Sequence, residues 1–156
     1  MFRLFCLLLL FIGFPLIPHS QTFKGTVVSV PDGDTLHVRL GGTTMKVRLN
    51  GIDCPELGQR YGDEAKEFTT HLVLNKDVIV KGKGEDSSGY IVADVILEDQ
   101  NNVGYEILKA GYAWWFSGSS KEDRTLFELE QEAKNEKLGL WKYPNPVAPW
   151  VYRRGK

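Results

Sequence analysis

Alternating apolar and polar residues predict β-strands in the first two thirds of the chain. Between residues 35 and 40, Leu36, Val38 and Leu40 alternate with His37 and Arg39, which is the two-residue period of a strand with one solvated face. Similar runs, bounded by turn residues, predict further strands. The five predicted strands cover residues 23–30, 35–40, 44–50, 78–81 and 91–98.

Helical periodicity appears between and after these strands. It predicts helices over residues 63–74, 103–109 and 121–137, the last with an apolar stripe that includes Leu126, Leu129 and Ala133. The proline-rich tail, residues 143–156, is expected to be an extended strap rather than a helix. Five strands with a helix after the third predict an α+β fold, a five-stranded OB-type Greek-key β-barrel with about three helices.

The first 20 residues differ from the rest. Arg3 precedes an apolar run over residues 4–17, which is typical of a signal peptide. The run is shorter than the roughly 20 residues that span a bilayer, so a retained anchor is the weaker alternative. We therefore expect a signal peptide over residues 1–20, one domain over residues 21–156, and export to the periplasm or the medium with no membrane span left after cleavage.

Charge and cysteine content narrow the function classes. The formal net charge is −1, so no global positive field attracts nucleic acid, and any grip on phosphate must be local. Of the two cysteines, Cys6 lies in the predicted leader, which leaves Cys54 without a partner for an internal disulfide. The exported chain is therefore expected to be stabilised by packing alone, as a monomer.

Two acidic segments are candidate sites. Asp32 and Asp34 lie in Pro-Asp-Gly-Asp-Thr, and Asp53 and Glu56 lie in Gly-Ile-Asp-Cys-Pro-Glu, each where a strand meets a turn. Taken singly, such segments are most simply turns, because Asp and Gly favour turn conformations. With Arg48 between them, they become a candidate site for phosphate chemistry.

These segments carry a family resemblance. Asp-Gly-Asp-Thr at 32–35, Val-Arg-Leu-Asn-Gly-Ile-Asp-Cys-Pro-Glu at 47–56 and Tyr-Gly-Asp-Glu-Ala at 61–65 resemble, in order and spacing, the signatures of the staphylococcal nuclease family. Gly-Tyr-Ala-Trp at 111–114 and Gly-Leu-Trp at 139–141 extend the resemblance over nearly the whole predicted mature chain. It implies a calcium-dependent nuclease that hydrolyses phosphodiester bonds of DNA, RNA or both.

The resemblance also implies roles for individual residues. Asp34 and Asp53 would supply carboxylates to one Ca²⁺ ion, and the backbone carbonyl of Cys54 would add a third oxygen ligand, as a hard cation prefers. Glu56 would be the general base that activates water. Arg48 would hold the scissile phosphate through its planar paired donors.

One catalytic position departs from the family pattern. After the turn at 86–89 the family has a second arginine, but this chain has Tyr90, whose hydroxyl offers one neutral hydrogen bond. Losing an arginine at a transferring phosphoryl group costs about 10³ to 10⁵ in rate unless another group compensates. Arg60 and Lys83 are candidates for that compensation, and Trp115 is a candidate for stacking on bases.

The departure keeps a rival function open. A nuclease-like barrel of weakened activity would act as a nucleic-acid-binding or envelope interaction module, and a sugar-binding barrel is a more distant third possibility. Arg153, Arg154 and Lys156 form a small basic end that is a further candidate contact to phosphate. The sequence leaves the choice between DNA and RNA open.

Overall fold

A computed structural model describes residues 21–116 and 124–155. The predicted signal peptide and residues 121–123 of the third predicted helix lie outside these ranges. In chain order the elements are β1 Thr22–Ser29, β2 Thr35–Leu40, β3 Thr43–Leu49, β4 Ile52–Asp53, α1 Gly62–Val73, β5 Asp77–Glu85, β6 Ile91–Leu97, α2 Val103–Lys109, β7 Trp114–Trp115, α3 Arg124–Asn135, a 3₁₀ helix Gly139–Lys142, and α4 Pro149–Arg154.

Five strands close into a barrel, which confirms the predicted fold class. Their order is β1, β2, β3, β6, β5, and β5 pairs back onto β1. All neighbours are antiparallel except β3 and β6, which run parallel. The inward-facing side chains are mostly β-branched, as suits a closed barrel interior. Fully buried examples are Val27, Leu36, Val38, Val47, Val78, Val80 and Val95.

The helices cover the barrel and extend its core. Ala65 and Val73 of α1, Ile107 and Leu108 of α2, and Leu126 of α3 are buried in the same apolar cluster as the barrel strands. Among the described residues, no helix has the length and apolar character needed to cross a membrane.

The strand β5 is longer than its sequence predicts. It extends from Asp77 to Glu85, whereas the apolar alternation covers only residues 78–81. Its second half pairs with β6 but contains no buried side chain, and the register shifts between Gly82 and Gly84. Because the hydrophobic pattern reports burial, this solvated extension leaves no signal in the sequence.

The C-terminal tail corrects the prediction of an extended strap. Residues 143–148 are not helical, but Pro149–Arg154 form the helix α4. Pro149 occupies the first turn, where its fixed φ favours the helix and its missing N–H costs nothing. The tail lies on the body of the protein, since Gln59 Nε2 donates to the Val147 carbonyl at 2.6 Å.

Candidate functional site

The loop between β1 and β2 positions Asp34. The Asp34 N–H donates to Asp32 Oδ1 at 3.2 Å, and the Cys54 N–H donates to Asp34 Oδ2 at 2.7 Å. A Cβ atom at Gly33 would lie 2.7 Å from the Cβ of Cys54, so only glycine permits this approach. The buried Thr69 hydroxyl on α1 donates to the Gly33 carbonyl at 2.7 Å and fixes the loop from behind. The two acidic segments of the sequence therefore meet.

Asp53 lies on a second, two-stranded sheet. β4 pairs with β7, with Asp53 opposite Trp114 and Ile52 opposite Trp115. The Trp115 N–H donates to Glu130 Oε1 on α3 at 3.1 Å, which ties this small sheet to the helical layer. Asp53 is 9% exposed, so its carboxylate needs a nearby partner.

That partner is Arg153, at the end of α4. Its Nη1 and Nη2 atoms donate to the two carboxylate oxygens of Asp53, at 3.1 and 2.8 Å. Nη1 also donates to Glu56 Oε1 at 2.6 Å. The hydrogen bonds to Asp53, and then those to Glu56, raise the pKa of Arg153 above its ordinary value, so the guanidinium stays charged.

Glu56 begins the turn that follows Asp53. Its backbone N–H donates to Gln59 Oε1 at 3.1 Å, and its carbonyl accepts from the Gln59 N–H at 2.9 Å. These two bonds hold the backbone of the turn, while the Glu56 side chain remains 35% exposed. Its carboxylate can therefore meet both the cleft and water.

Arg48 enters the cleft from β3 and is fixed by the 86–90 turn. Its Nη1 donates to Asp86 Oδ2 at 2.8 Å, and its Cζ lies 4.8 Å from the ring centroid of Tyr90. The other oxygen of Asp86 accepts from the N–H groups of Ser88 and Tyr90 at 2.8 and 3.0 Å, which shapes the turn. Tyr90 thus acts on Arg48 through its ring face.

The acidic residues of the two segments line one cleft of about 400 Å³ together with Arg48 and Arg153. Its charged residues are four acids and two arginines, namely Asp32, Asp34, Asp53, Glu56, Arg48 and Arg153. Desolvation at the back of the cleft, together with the Asp32 carboxylate, raises the pKa of Asp34 to about 8. Burial and the Asp34 carboxylate also raise the pKa of the Cys54 thiol well above its ordinary value. The cleft therefore has more acidic groups than cationic ones, and a bound cation would favour the ionised form of Asp34.

The donor set fits a hard divalent cation. Asp34 and Asp53 present carboxylates to the same cleft, and Cys54 lines it as well. Oxygen donors of this kind suit Ca²⁺, whereas the protonated and buried Cys54 thiol does not suit a thiophilic metal. Within residues 21–116 and 124–155, no three His, Cys, Asp or Glu side chains group as a metal site. The calcium ligands that the family resemblance implies would not form such a group, because they are two side-chain carboxylates and one backbone carbonyl oxygen.

Three predicted substrate contacts do not line the cleft. The Arg60 guanidinium lies 4.5 Å from the ring centroid of Tyr143, in a separate cavity of about 300 Å³. Lys83 pairs with Asp94 at 2.9 Å. The Trp115 ring packs edge-on against Phe127 with centroids 5.3 Å apart. Contact with substrate stays a prediction for these three residues, and the cleft itself gives it no support.

Arg153 is the cleft residue whose position and partners are hardest to predict from the sequence. The basic end of the chain marks it only as one of three candidate phosphate contacts, with nothing to pair it with Asp53 and Glu56. The available signal is the Pro-Trp-Val-Tyr-Arg run, because a proline at the first helical position places Arg153 four residues later on a short helix. The docking of that helix on the cleft comes from tertiary contacts.

Comparison with known proteins agrees with these observations. The family described as "Staphylococcal nuclease homologue" matches residues 46–143. A "Micrococcal nuclease" of Shigella flexneri is 34% identical over 147 residues, which cover 88% of this chain and 84% of that protein. An "Uncharacterized endonuclease" of Escherichia coli is 37% identical over 132 residues, 85% and 86% of the two chains. "Protein ParB" of Escherichia coli is 32% identical over 146 residues, 88% and 82%.

Proposed function

This chain belongs to the staphylococcal nuclease family, and we propose that it is an exported, calcium-dependent nuclease that hydrolyses phosphodiester bonds of DNA, RNA or both. The observation that carries the proposal is the convergence of Asp34, Asp53, Glu56 and two arginines on one cleft. The names of the Shigella flexneri and Escherichia coli relatives support the same reaction class.

The charges of the cleft support a cation between protein and substrate. Ionised carboxylates facing a polyanion would repel it, since like charges at about 4 Å interact by about 4 kcal/mol near a protein surface. Asp34, Asp53 and the Cys54 carbonyl are the groups that would hold Ca²⁺. When bound, the ion supplies Lewis-acid polarisation of the phosphate and a template for its orientation.

The protein's own residues divide the remaining work. Arg48 binds two nonbridging oxygens of the phosphate through its paired N–H donors. Asp86 and Tyr90 fix its guanidinium before substrate arrives. The backbone of Glu56 is fixed by Gln59, and its side chain is partly exposed. Its carboxylate orients water and accepts the proton of that water. Positioning of a phosphate and a water in line is the main requirement of phosphoryl transfer.

The rival binding module is not favoured by this arrangement. Binding of a polyanion alone requires cations and stacking surfaces, and gains nothing from Glu56 beside the phosphate grip. The replacement of the second family arginine by Tyr90 is the one sequence feature that favours weakened activity. A second guanidinium nevertheless lines the cleft, from α4.

Nucleic acid degradation tests the proposal. Purified protein is incubated with single-stranded DNA, double-stranded DNA and RNA, in Ca²⁺, Mg²⁺ and chelator, and products are resolved on gels. We expect calcium-dependent cleavage that Glu56→Gln lowers by at least about 10², the usual contribution of a general base. Glu132→Gln, at an exposed position of α3, is the matched control. Cleavage that persists in chelator, or in Glu56→Gln, would reject the proposed site.

Export has a separate test. The leader pattern of residues 1–20 supports processing by a signal peptidase, with release to the periplasm or the medium. N-terminal sequencing of the protein recovered from those fractions should begin near residue 21. Recovery of the uncleaved chain in the membrane fraction would instead support the retained anchor.

A further inference from the structure

We propose that Arg153 is the second phosphate-binding arginine of the cleft, acting opposite Arg48 on the substrate phosphate. The inference deepens the proposed function and rests on it, because it assigns a substrate contact within the same site. It differs from the expectation of the sequence, in which Arg60 or Lys83 compensates for Tyr90.

The donor geometry of Arg153 leaves a phosphate-binding edge open. A guanidinium has five N–H donors, and three of them bind Asp53 and Glu56. The second N–H of Nη2 and the N–H of Nε make no hydrogen bond within the described part of the chain. These two point in parallel from one edge of the planar group, which is the fork that binds two oxygens of a phosphate.

The placement of Arg153 distinguishes it from a simple counter-ion. Arg153 lines the cleft together with Arg48, and its side chain is 46% exposed. A residue that only neutralised Asp53 and Glu56 would need no accessible edge. Because each oxygen of a carboxylate has two lone-pair sites, Asp53 can bind Arg153 and still present oxygen to a cation. Arg153 therefore need not leave its partners when the cleft fills.

The helix that carries Arg153 is docked before substrate arrives. The Tyr152 hydroxyl donates to the Gly58 carbonyl at 3.2 Å, next to the turn that follows Glu56. The Trp150 ring packs against Phe116, also a cleft residue, with centroids 5.8 Å apart. Pro149 is buried. A donor held in this way pays little reorganisation cost on binding, which is the condition for strong electrostatic stabilisation of a transition state.

The charge of the cleft gives the same assignment. Without Arg153, one guanidinium would face four acidic side chains and an incoming phosphate. Lys83, which pairs with Asp94, and Arg60, which stacks on Tyr143, are outside the cleft. Among the described residues, Arg48 and Arg153 are the cations that line it. Two arginines from two different elements can bind different oxygen pairs of the same phosphate.

The test separates phosphate binding from turnover and from folding. Thymidine monophosphate has no phosphodiester bond and serves as an uncleaved probe, titrated by calorimetry in Ca²⁺ against the full chain. The variants are Arg153→Gln, Arg153→Lys, and Arg124→Gln as control, since the Arg124 side chain is 88% exposed on α3 and does not line the cleft. Thermal melting verifies folding, and kcat and KM are measured on single-stranded DNA.

We expect Arg153→Gln to weaken thymidine monophosphate about 10-fold or more, and to lower kcat by about 10². Arg153→Lys should recover part of both, because it keeps the charge but loses the fork. Arg124→Gln should stay within about twofold of the native protein on both measures. If Arg153→Gln does not fold, Arg153→Lys decides by the same two measures.

Three results would overturn the assignment. The first is unchanged affinity and kcat in Arg153→Gln with only a lower melting temperature. The second is an equal loss in Arg124→Gln, and the third is no binding of thymidine monophosphate by the native protein. If the native protein cleaves nucleic acid and the Arg153 variants match it, the assignment fails while the proposed function stands. If the native protein cleaves nothing, the proposed function fails, and the titration alone decides whether Arg153 binds phosphate.

Discussion

The ring of Tyr90 lies over the guanidinium of Arg48, with the Arg48 Cζ 4.8 Å from the ring centroid. This contact gives Tyr90 a role that depends on its ring and not on its hydroxyl group. Together with Asp86 it holds Arg48 from two directions, by a ring face and by a carboxylate. A tyrosine in place of the family arginine therefore supports the remaining arginine of the barrel.

The first prediction follows from that ring contact. Tyr90→Leu should raise KM for single-stranded DNA several-fold, because an exposed cation–π contact contributes about 0.5–1 kcal/mol to holding Arg48. Tyr90→Phe keeps the ring face and should match the native protein. Steady-state kinetics of the two variants decide the matter. If Tyr90→Phe raises KM as much as Tyr90→Leu does, the hydroxyl and not the ring face supports Arg48.

Restoring the family arginine should bring no gain. Tyr90→Arg removes the ring that contacts Arg48 and sets a like charge beside it, with Lys46 also near, 5.6 Å from the ring centroid in the native protein. We therefore expect kcat for DNA cleavage to be unchanged or lower. An increase of 10-fold or more would mean that the cleft lacks a second effective arginine.

The loop that carries Asp34 depends on a buried hydroxyl. Thr69→Val leaves the Gly33 carbonyl without its donor and should lower the free energy of unfolding by about 1–3 kcal/mol. Thr70→Val is the matched control, since the Thr70 hydroxyl donates within α1 to the Lys66 carbonyl, and should change it by no more than about 0.5 kcal/mol. Urea denaturation measures both. Equal decreases of the free energy of unfolding in the two variants would mean that the bond to Gly33 stabilises the protein no more than the bond within α1 does.

Stability in chelator should decline as pH rises toward 8. Folding raises the pKa of Asp34 from 3.8 to about 8, so the folded protein retains a proton that the unfolded chain releases. The free energy of unfolding therefore falls between about pH 4 and pH 8. Asp34→Asn should flatten this profile and abolish the stabilisation by Ca²⁺, as melting temperatures will show. Glu132→Gln should behave as the native protein does, and a calcium response retained in Asp34→Asn would contradict the assigned ligand.

The Cys54 thiol should be inert in the folded protein. It is buried, and burial with the Asp34 carboxylate raises its pKa, so little thiolate forms near neutral pH. Thiol-specific reagents should label it slowly in buffer and rapidly in denaturant. Rapid labelling of the folded protein would place Cys54 at an accessible surface instead.

The barrel was predictable because its strands bury one face. β2 coincides with the predicted strand at 35–40, and α2 with the predicted helix at 103–109, since both have regular apolar spacing. The pairing of Ile52–Asp53 with Trp114–Trp115 had no such signal, because two-residue strands are too short for a period. Sequence motifs proposed Asp34, Asp53, Glu56 and Arg48 as one site, and the structure brings them to one cleft.

The contacts of Arg153 and Tyr90 could not be predicted in this way. Arg153 reaches Asp53 because Pro149 starts a helix and because that helix docks beside Gly58. Tyr90 contacts Arg48 because the Asp86 side chain shapes the turn between β5 and β6. Each depends on the direction of a side chain across a turn or an interface, and apolar periodicity does not encode such directions.

The pair of Arg153 with Asp53 also has a consequence for the order of assembly. It joins positions 100 residues apart, so its formation requires closure of a long loop. All five barrel strands precede Arg153 along the chain. A chain in which the barrel has just closed thus holds its acidic residues without their C-terminal counter-charge, and the cleft gains its full electrostatic form only when the tail has docked.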